Sequence, residues 1–348
     1  MLNRIDVYRF QDSFGDYRHV ECQQIVASTV EKPFFSIVIP AYKRSDTLAT
    51  AIKSALAQDF KGPYEVIVMN NDPAGAKSGN EIYNLIQKIK DFRISYYVNR
   101  ENIGLCGNWN RAVSVSRADN IVMVHDDDVL SEFILSVYAK LLKKYDDITA
   151  MGVGIRDFYH GNLPCFSRAK MITYNCITKT DFFFGRYIGI AGMFFKKHIA
   201  LEIGGFRDEF YPNEDTIFIF QAILKGRVVK IENCLAGYGR GDNESMKGDT
   251  MKRVVLTMEA TRRSMADHEW FMKLWMRYFG GSYFWQYVCM AEKHWHIELN
   301  RKELEEISGY KPEGEYLLAK NIMRMFQKVI RLYGEIKQKK YLKMEEYI

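Results

Sequence analysis

Three consecutive carboxylates, Asp126-Asp127-Asp128, follow His125 directly after the apolar run at 121–124. Adjacent carboxylates repel one another, and this repulsion costs stability unless a cation offsets it. Their hard oxygen atoms suit Mg2+ or Mn2+, which usually complete their coordination with phosphate oxygens and water. The alternative is a solvated acidic turn that includes a helix-capping Asp. The position of the triplet at the end of an apolar run favours the cation site.

A second acidic pair, Glu214-Asp215, begins a segment whose apolar residues recur with helical spacing. Acidic residues are common in the first turn of a helix because they interact favourably with its dipole. Taken without other information, the pair is therefore explained by helix formation alone.

Apolar, β-rich segments alternate with segments of helical period through the first 145 residues. Strands are predicted at 34–39, 64–69, 93–98 and 121–124; helices are predicted from Ser45, as N-cap, and at 81–90, 108–117 and 131–145. This alternation is typical of βαβ units on a parallel sheet. Right-handed crossovers bring the loops after the strands to one edge of the sheet. We therefore expect the loops 41–44, 70–72 and 125–128 to converge there.

The alternation weakens after residue 157. A strand at 189–195, a helix at 214–225 and a strand at 227–231 are predicted, and the chain from about 250 onward is helical, aromatic and basic. We divide the chain into an N-terminal preamble (1–33), an α/β domain (34–245) and a helical C-terminal extension (246–348). No internal repeat is present.

Composition argues against several classes of protein. The net charge of +6 is spread along the chain, whereas nucleic-acid binders concentrate it, so no nucleic-acid partner is predicted. The six Cys residues form no CxxC pair, which indicates reduced thiols in a cytoplasmic protein rather than a disulfide framework or a zinc site. The polar N-terminal segment does not resemble a signal peptide, and no run of 18 apolar residues predicts a membrane span.

Four segments in the same order resemble the inverting glycosyltransferases of family 2, which have the GT-A fold. The resemblance covers residues 34–240, and its segments are FSIVIPAYKR, EVIVMNND, NIGLCGNWNRAVSVSRADNIVMVHDDDVL and GGFRDEFYPNEDTIFIFQAILKG. It implies an α/β fold with a GT-A-like, mostly parallel sheet flanked by helices, followed by the C-terminal helical extension.

The resemblance also implies how a nucleotide-sugar donor is bound. The segment after the first strand would border the base and ribose, and Tyr42 could either stack on the base or cover the sheet edge. Asn70 stands where the family usually has the Asp that reads uracil, so a UDP-sugar is favoured but less firmly than the donor class. Trp109, often Arg in the family, is interpreted as core packing. The implied donor-binding residues are Pro40, Ala41, Tyr42, Arg44, Asn70, Asp72, Asn102, Gly104, Asn110, Asp126 and Arg240.

The metal motif of the family aligns in two registers. The pattern Asp-x-Asp-Asp would place His125 at the first position, whereas Asp126-x-Asp128 is a literal DxD motif. By resemblance, Asp127 is the main ligand of Mn2+ or Mg2+, Asp128 also contacts the metal, and Asp126 contacts the ribose. His125 is either a ligand itself or a residue that supports one.

Within the family match, Asp215 resembles the catalytic base, with Glu214 beside it. Residues 189–193 would shape the acceptor side of the cleft. Tyr238, Arg240 and Asp242 lie where the family has a flexible lid, and Arg240 would contact the diphosphate.

The expected function is therefore hexosyl transfer in bacterial surface-polysaccharide or lipopolysaccharide synthesis, with a glycan or lipid-linked acceptor. The basic, aromatic C-terminal helices could contact the inner face of the membrane peripherally. One alternative is a nucleotidyltransferase, but the segment PAYKRSDT lacks the glycines of its phosphate loop. Another is a non-catalytic sugar- or partner-binding module, which should have lost Asp127 or Asp215.

Overall fold

The computed structural model of the chain describes residues 4–159, 161–241, 248–312, 328–329, 332 and 344–347. Eleven strands in these ranges form one mixed sheet. The strands are β1 (Cys22–Val26), β2 (Phe35–Ala41), β3 (Tyr64–Asn70), β4 (Ile94–Asn99), β5 (Asn120–Met123), β6 (Val129–Leu130), β7 (Ile148–Tyr159), β8 (Met171–Ile177), β9 (Met193–Lys196), β10 (Arg227–Arg240) and β11 (Met344–Tyr347).

Helices of the described ranges cover both faces of this sheet. They are α1 (Ser45–Leu56), α2 (Glu81–Ile89), α3 (Gly104–Val115), α4 (Ile134–Lys144), α5 (Lys179–Phe183), α6 (Lys197–Ile203), α7 (Glu214–Lys225), α8 (Gly248–His268), α9 (Trp270–Trp295) and α10 (Arg301–Ser308). None of them is long and apolar enough to cross a bilayer.

The strand order is β1-β4-β3-β2-β5-β9-β7-β10-β8-β11, with β6 paired to β10. Strands β4, β3, β2 and β5 are mutually parallel. Antiparallel β9 joins them to a second parallel pair, β7 and β10. The mostly parallel sheet flanked by helices, with helices C-terminal to it, is thus confirmed, and the loops after β2 and β5 meet at one edge.

Some boundaries differ from the prediction. The strand predicted at 189–195 begins only at Met193, and the one predicted at 227–231 continues to Arg240 as it pairs with β7. Ser45 does not cap α1: Arg44 is the N-cap residue, its side chain makes no capping hydrogen bond, and Ser45 instead donates to Glu81 (2.6 Å). Edge strand β1 was missed because its sequence, CQQIV, has no long apolar run.

The parallel strands are apolar throughout because each contributes to two cores. Val38 and Ile67 point into the core that α3, α7, α8 and α9 cover, whereas Ile37 and Val66 point into the one that α1, α2 and α4 cover. Burial on both faces is what produced the continuous apolar runs in the sequence. This packing holds the strand ends, and the loops after them, in fixed relative positions.

The two ends of the chain pack against the same domain. Val7 is buried in the first core, and the Ser13 hydroxyl donates to the carbonyls of Gly204 (2.6 Å) and Phe206 (2.9 Å). From the extension, Phe271 and Trp275 enter that core as well. The division of the chain at residues 33 and 245 stays a prediction.

Candidate active site

An open cleft of about 520 Å3 lies at the edge of the sheet where β2 and β5 end. Several separate segments line it, and they include most of the residues singled out in the sequence. The lining residues from the predicted set are Pro40, Ala41, Tyr42, Arg44, Asn102, Gly104, Asp126, Asp127, Glu214 and Asp215.

The acidic loop after β5 is tied to the loop after β2. Asp126 accepts a hydrogen bond from the backbone N–H of Tyr42 (3.2 Å). Asp127 accepts one from the Arg44 guanidinium (2.6 Å), which also lies 3.6 Å from Asp126. Burial and the neighbouring Asp127 raise the pKa of Asp126 to about 7, although Arg44 and the Tyr42 N–H oppose the shift. Hydrogen bonds and an ion pair to these two carboxylates therefore hold the loops after β2 and β5 together.

Asp128 lies deeper than its neighbours and does not line the cleft. Its side chain is fully buried; one oxygen accepts from the backbone N–H of Gly239 (3.0 Å) and the other lies 3.8 Å from His125 Nδ1. Burial, followed by repulsion from Asp127, raises the pKa of Asp128 well above its usual value. Burial also lowers the pKa of His125, which favours the neutral imidazole that binds metals.

The residues of this loop fit a divalent cation. Ligand atoms of His125, Asp127 and Asp128 all lie within 4.8 Å of one another. Among the described residues, His125 Nε2 and Asp128 Oδ2 are buried without a hydrogen-bond partner. Buried polar atoms are normally satisfied, so this pair is suited to coordination. The grouping matches the register in which His125 occupies the first position of the motif.

The second acidic pair occupies the first turn of α7 and faces the same cleft. Asp215 Oδ1 accepts from the backbone N–H (2.6 Å) and the hydroxyl (3.1 Å) of Thr216. Burial raises the pKa of Asp215, and these two bonds oppose the shift. Burial and repulsion from Asp215 raise the pKa of Glu214 to about 8. A carboxylate with a raised pKa is a stronger base once it is ionised, which suits proton abstraction.

The loop after β3 presents Asn71 to the cleft rather than Asn70. Asn70 is fully buried, donates to the Tyr96 hydroxyl (2.9 Å) and accepts from the Asp72 N–H (3.0 Å). Asn71 instead bonds across to the loop that starts α3, donating to Asn102 (2.7 Å) and to the Gly104 carbonyl (3.0 Å). Gly104 has a φ of 73°, a left-handed conformation that favours glycine.

Three other predicted donor contacts do not line the cleft. Asp72 accepts from the Ala74 N–H (3.1 Å) and caps a short 3-10 turn. Asn110 is buried and exchanges two 2.8 Å hydrogen bonds with the backbone of Phe206.

Arg240 pairs with Asp157 (2.7 Å) and stacks on Trp295, with 4.4 Å from Cζ to the ring centroid. Asp242, the last residue of the predicted lid, lies outside the described residues.

Sequence reasoning missed much of the opposite wall of the cleft. Tyr211, Pro212, Thr250 and Val254 line it. Tyr211 and Pro212 belong to the fourth family-like segment but were not singled out, and Thr250 and Val254 lie in α8 outside any motif. Ile190, within the segment expected to shape the acceptor side, lines the cleft too.

Trp109 is 4% exposed, as expected for a residue of the core. Its ring also stacks on His125, with 5.0 Å between ring centroids, and borders the cleft.

Comparison with solved structures identifies the fold as GT-A. In the alignment with Staphylococcus aureus TarS 1–349 in complex with UDP-GlcNAc, 67% of this chain matches 66% of that chain, with a TM-score of 0.50 and 16% identity. This chain aligns over 91% of its length with 87% of a Pyrobaculum calidifontis mannosyltransferase in complex with GDP-Man and Mn2+, with a TM-score of 0.52 and 12% identity.

Sequence comparison then gives a family match. Residues 36–194 of the chain match the model of glycosyl transferase family 2. The chain is 31% identical over 192 residues, 54% of its length, to the Campylobacter jejuni GalNAc(5)-diNAcBac-PP-undecaprenol beta-1,3-glucosyltransferase. The match spans 59% of the length of that relative.

Proposed function

We propose that this chain is a metal-dependent inverting glycosyltransferase that moves a sugar from a nucleoside-diphosphate donor to an acceptor hydroxyl. One observation carries the proposal: the acidic loop at 125–128 and the pair Glu214-Asp215 face a single cleft. The loop supplies cation ligands beside the segment 40–42, while the pair supplies a proton acceptor from the other side.

In this proposal Asp215 accepts the proton of the acceptor hydroxyl as that oxygen attacks the anomeric carbon in line. The new glycosidic bond forms while the bond from the anomeric carbon to the donor diphosphate breaks, so one displacement inverts the centre. Asp127, Asp128 and His125 would hold a divalent cation, Mn2+ or Mg2+, which supplies positive charge to the departing diphosphate. Glu214, largely protonated at neutral pH, keeps a second negative charge away from Asp215.

The proposed donor is a nucleotide sugar, with a UDP-sugar favoured. Tyr42 is 41% exposed at the cleft edge, and its ring can stack on a base. TarS was solved with UDP-GlcNAc, and the Pyrobaculum calidifontis mannosyltransferase with GDP-Man and Mn2+. Because Asn70 is buried, we propose that base recognition uses Tyr42 and the backbone around Asn71 rather than the Asn70 side chain.

We propose a glycan or lipid-linked acceptor, in bacterial surface-polysaccharide or lipopolysaccharide synthesis. The name of the Campylobacter relative supports this, since that enzyme acts on a PP-undecaprenol-linked sugar. The wall formed by Thr250 and Val254, from the start of α8, would face this acceptor.

Peripheral contact with the cytoplasmic face of the membrane belongs to the same proposal. One face of α9 exposes Trp270, Leu274 and Tyr278 next to Lys273 and Arg277. Aromatic and basic side chains together suit the interface of an anionic bilayer. We expect the protein to float with phosphatidylglycerol vesicles, and a Leu274→Asp, Tyr278→Asp variant to float less. Equal flotation of both proteins would remove the α9 face from the proposal.

The function is tested with a panel of UDP- and GDP-sugars, each with Mn2+, Mg2+ or EDTA, while nucleotide release is recorded. We expect release from at least one donor, dependent on the cation and abolished by Asp127→Ala. If no donor releases nucleotide, or if Asp127→Ala and Asp215→Asn release it at the wild-type rate, the proposed mechanism is wrong.

A further inference from the structure

Arg44 is placed between the two strand-end loops of the cleft. It is the N-cap residue of α1, directly after the loop that follows β2, and its side chain is 43% exposed. Its Nη1 lies 2.6 Å from Asp127 Oδ2 and 3.6 Å from Asp126 Oδ1. A single guanidinium thus lies beside both Asp126 and Asp127 and bonds directly to the second.

This contact conflicts with coordination of a cation by Asp127. Asp127 belongs to the three-residue group that fits a divalent ion, and the hydrogen bond to Arg44 occupies one of its oxygens. A divalent ion bound to the same carboxylate would be repelled by a guanidinium a few ångströms away. The Arg44 side chain must then leave Asp127 or weaken the binding of the ion.

Arg44 also has an alternative partner within reach of the same cleft. It lines the cleft beside Tyr42, and a guanidinium forms strong bidentate hydrogen bonds with phosphate oxygens. A half-exposed arginine can change rotamer without unpacking a core. A diphosphate in the cleft would therefore bind the guanidinium that the cation displaces.

We propose that Arg44 is a positioning residue that competes with the divalent cation for Asp127 and transfers to the donor diphosphate when the cation binds. The inference rests on the proposed nucleoside-diphosphate donor. It makes cation binding and donor binding mutually dependent, since a coupling free energy between two sites acts equally in both directions. The free protein binds the cation weakly, and the nucleotide tightens that binding.

The experiment measures Mn2+ affinity from the electron paramagnetic resonance signal of free Mn2+, with and without UDP or GDP. Arg44→Gln removes the charge and Arg44→Lys keeps it. Arg4→Gln is the control, because Arg4 also pairs with an aspartate, Asp267 near the C-terminal end of α8, but does not line the cleft. We expect Arg44→Gln to bind Mn2+ about tenfold more tightly without nucleotide, and the tightening by nucleotide to shrink. Arg44→Lys and Arg4→Gln should stay close to the wild type.

Unchanged or weaker Mn2+ binding by Arg44→Gln in the absence of nucleotide would overturn the competition, as would a lack of Mn2+ binding by both the wild type and Arg44→Gln. Nucleotide release by the wild-type protein in the donor panel is measured separately. Release there together with unchanged Mn2+ affinity here would retain the function and reject the role of Arg44.

Discussion

Two groups of carboxylates face the cleft, and the protein offsets their charges in different ways. In the loop at 125–128, Arg44 pairs with Asp127 and the N–H groups of Tyr42 and Gly239 bind its neighbours. At the start of α7, no Lys or Arg of the described chain forms an ion pair with Glu214 or Asp215, and only Thr216 bonds to the latter.

This difference separates two kinds of chemistry. In the first group Asp127 already holds a cationic partner that a divalent ion could replace, although burial raises the pKa of Asp126 and of Asp128. In the second group Asp215 is buried without a Lys or Arg partner among the described residues, and it is prepared to take a proton. The first group resembles a binding site and the second an acid–base site. Substitutions that remove one property while leaving the other test whether the separation is real.

The largest expected effect comes from Asp215→Asn. The amide keeps the shape of the side chain but cannot accept a proton, so the transfer rate should fall by a factor of roughly 10² to 10⁴. The variant should still bind Mn2+ with wild-type affinity, because the cation ligands are untouched. Sugar transfer to an acceptor and Mn2+ titration measure the two properties. A variant with full activity would remove Asp215 from the role of base.

Asp127→Asn should lose Mn2+ binding, and with it the cation-dependent transfer. At concentrations about 100 times their dissociation constants, Mn2+ and the nucleotide stabilise a protein that binds them by about 2.7 kcal/mol. This corresponds to a rise in Tm of roughly 5–10 °C for a domain of this size. We expect that rise in the wild type and in Asp215→Asn, and little of it in Asp127→Asn. Thermal unfolding measures it, and an equal rise in all three proteins would contradict the division.

The carboxylate loop was predictable from sequence, and the opposite wall was not. Apolar runs that end in polar loops predicted both the parallel strands and the convergence of 41–44 with 125–128, because strand ends of parallel neighbours lie at the same edge of a sheet. Thr250 and Val254 reach the cleft because α8 packs against the domain over a long sequence distance, which has no local signature. Asp215 was found only through the family match, since an acidic first turn is ordinary for a helix.

The direction in which individual side chains point could not be predicted from the sequence either. Asn70 and Asn71 are adjacent at the end of β3, where successive side chains point to opposite faces, so a one-residue choice decides which of them reaches the cleft. Tyr96 accepts the hydrogen bond of Asn70 beneath the sheet edge, and this partner comes from a neighbouring strand. Likewise, the engagement of Arg240 with Asp157 depends on the pairing of β10 with β7, which the sequence did not indicate.

The smallest expected effect is a pH dependence of stability. Folding raises the pKa of Glu214 from its ordinary 4.5 to about 8, so the stabilising contribution of its protonated form is complete below about pH 4.5 and is lost as pH rises through 8. Glu214→Gln stays neutral and should therefore have a higher Tm than the wild type at pH 9 but not at pH 4.5. Glu306→Gln, at an exposed position, is the matched control and should show no such gain.

Asp126→Asn provides the comparison within the loop. Its pKa is raised to about 7, so the wild type loses the corresponding contribution between about pH 4 and pH 7. Unlike Glu214, the ionised Asp126 carboxylate has Arg44 and the Tyr42 N–H beside it, and the amide would give up the charge attraction to Arg44. The gain at pH 9 should consequently be smaller than that of Glu214→Gln. An equal or larger gain, measured by thermal unfolding at both pH values, would mean that the two acidic groups are not offset differently.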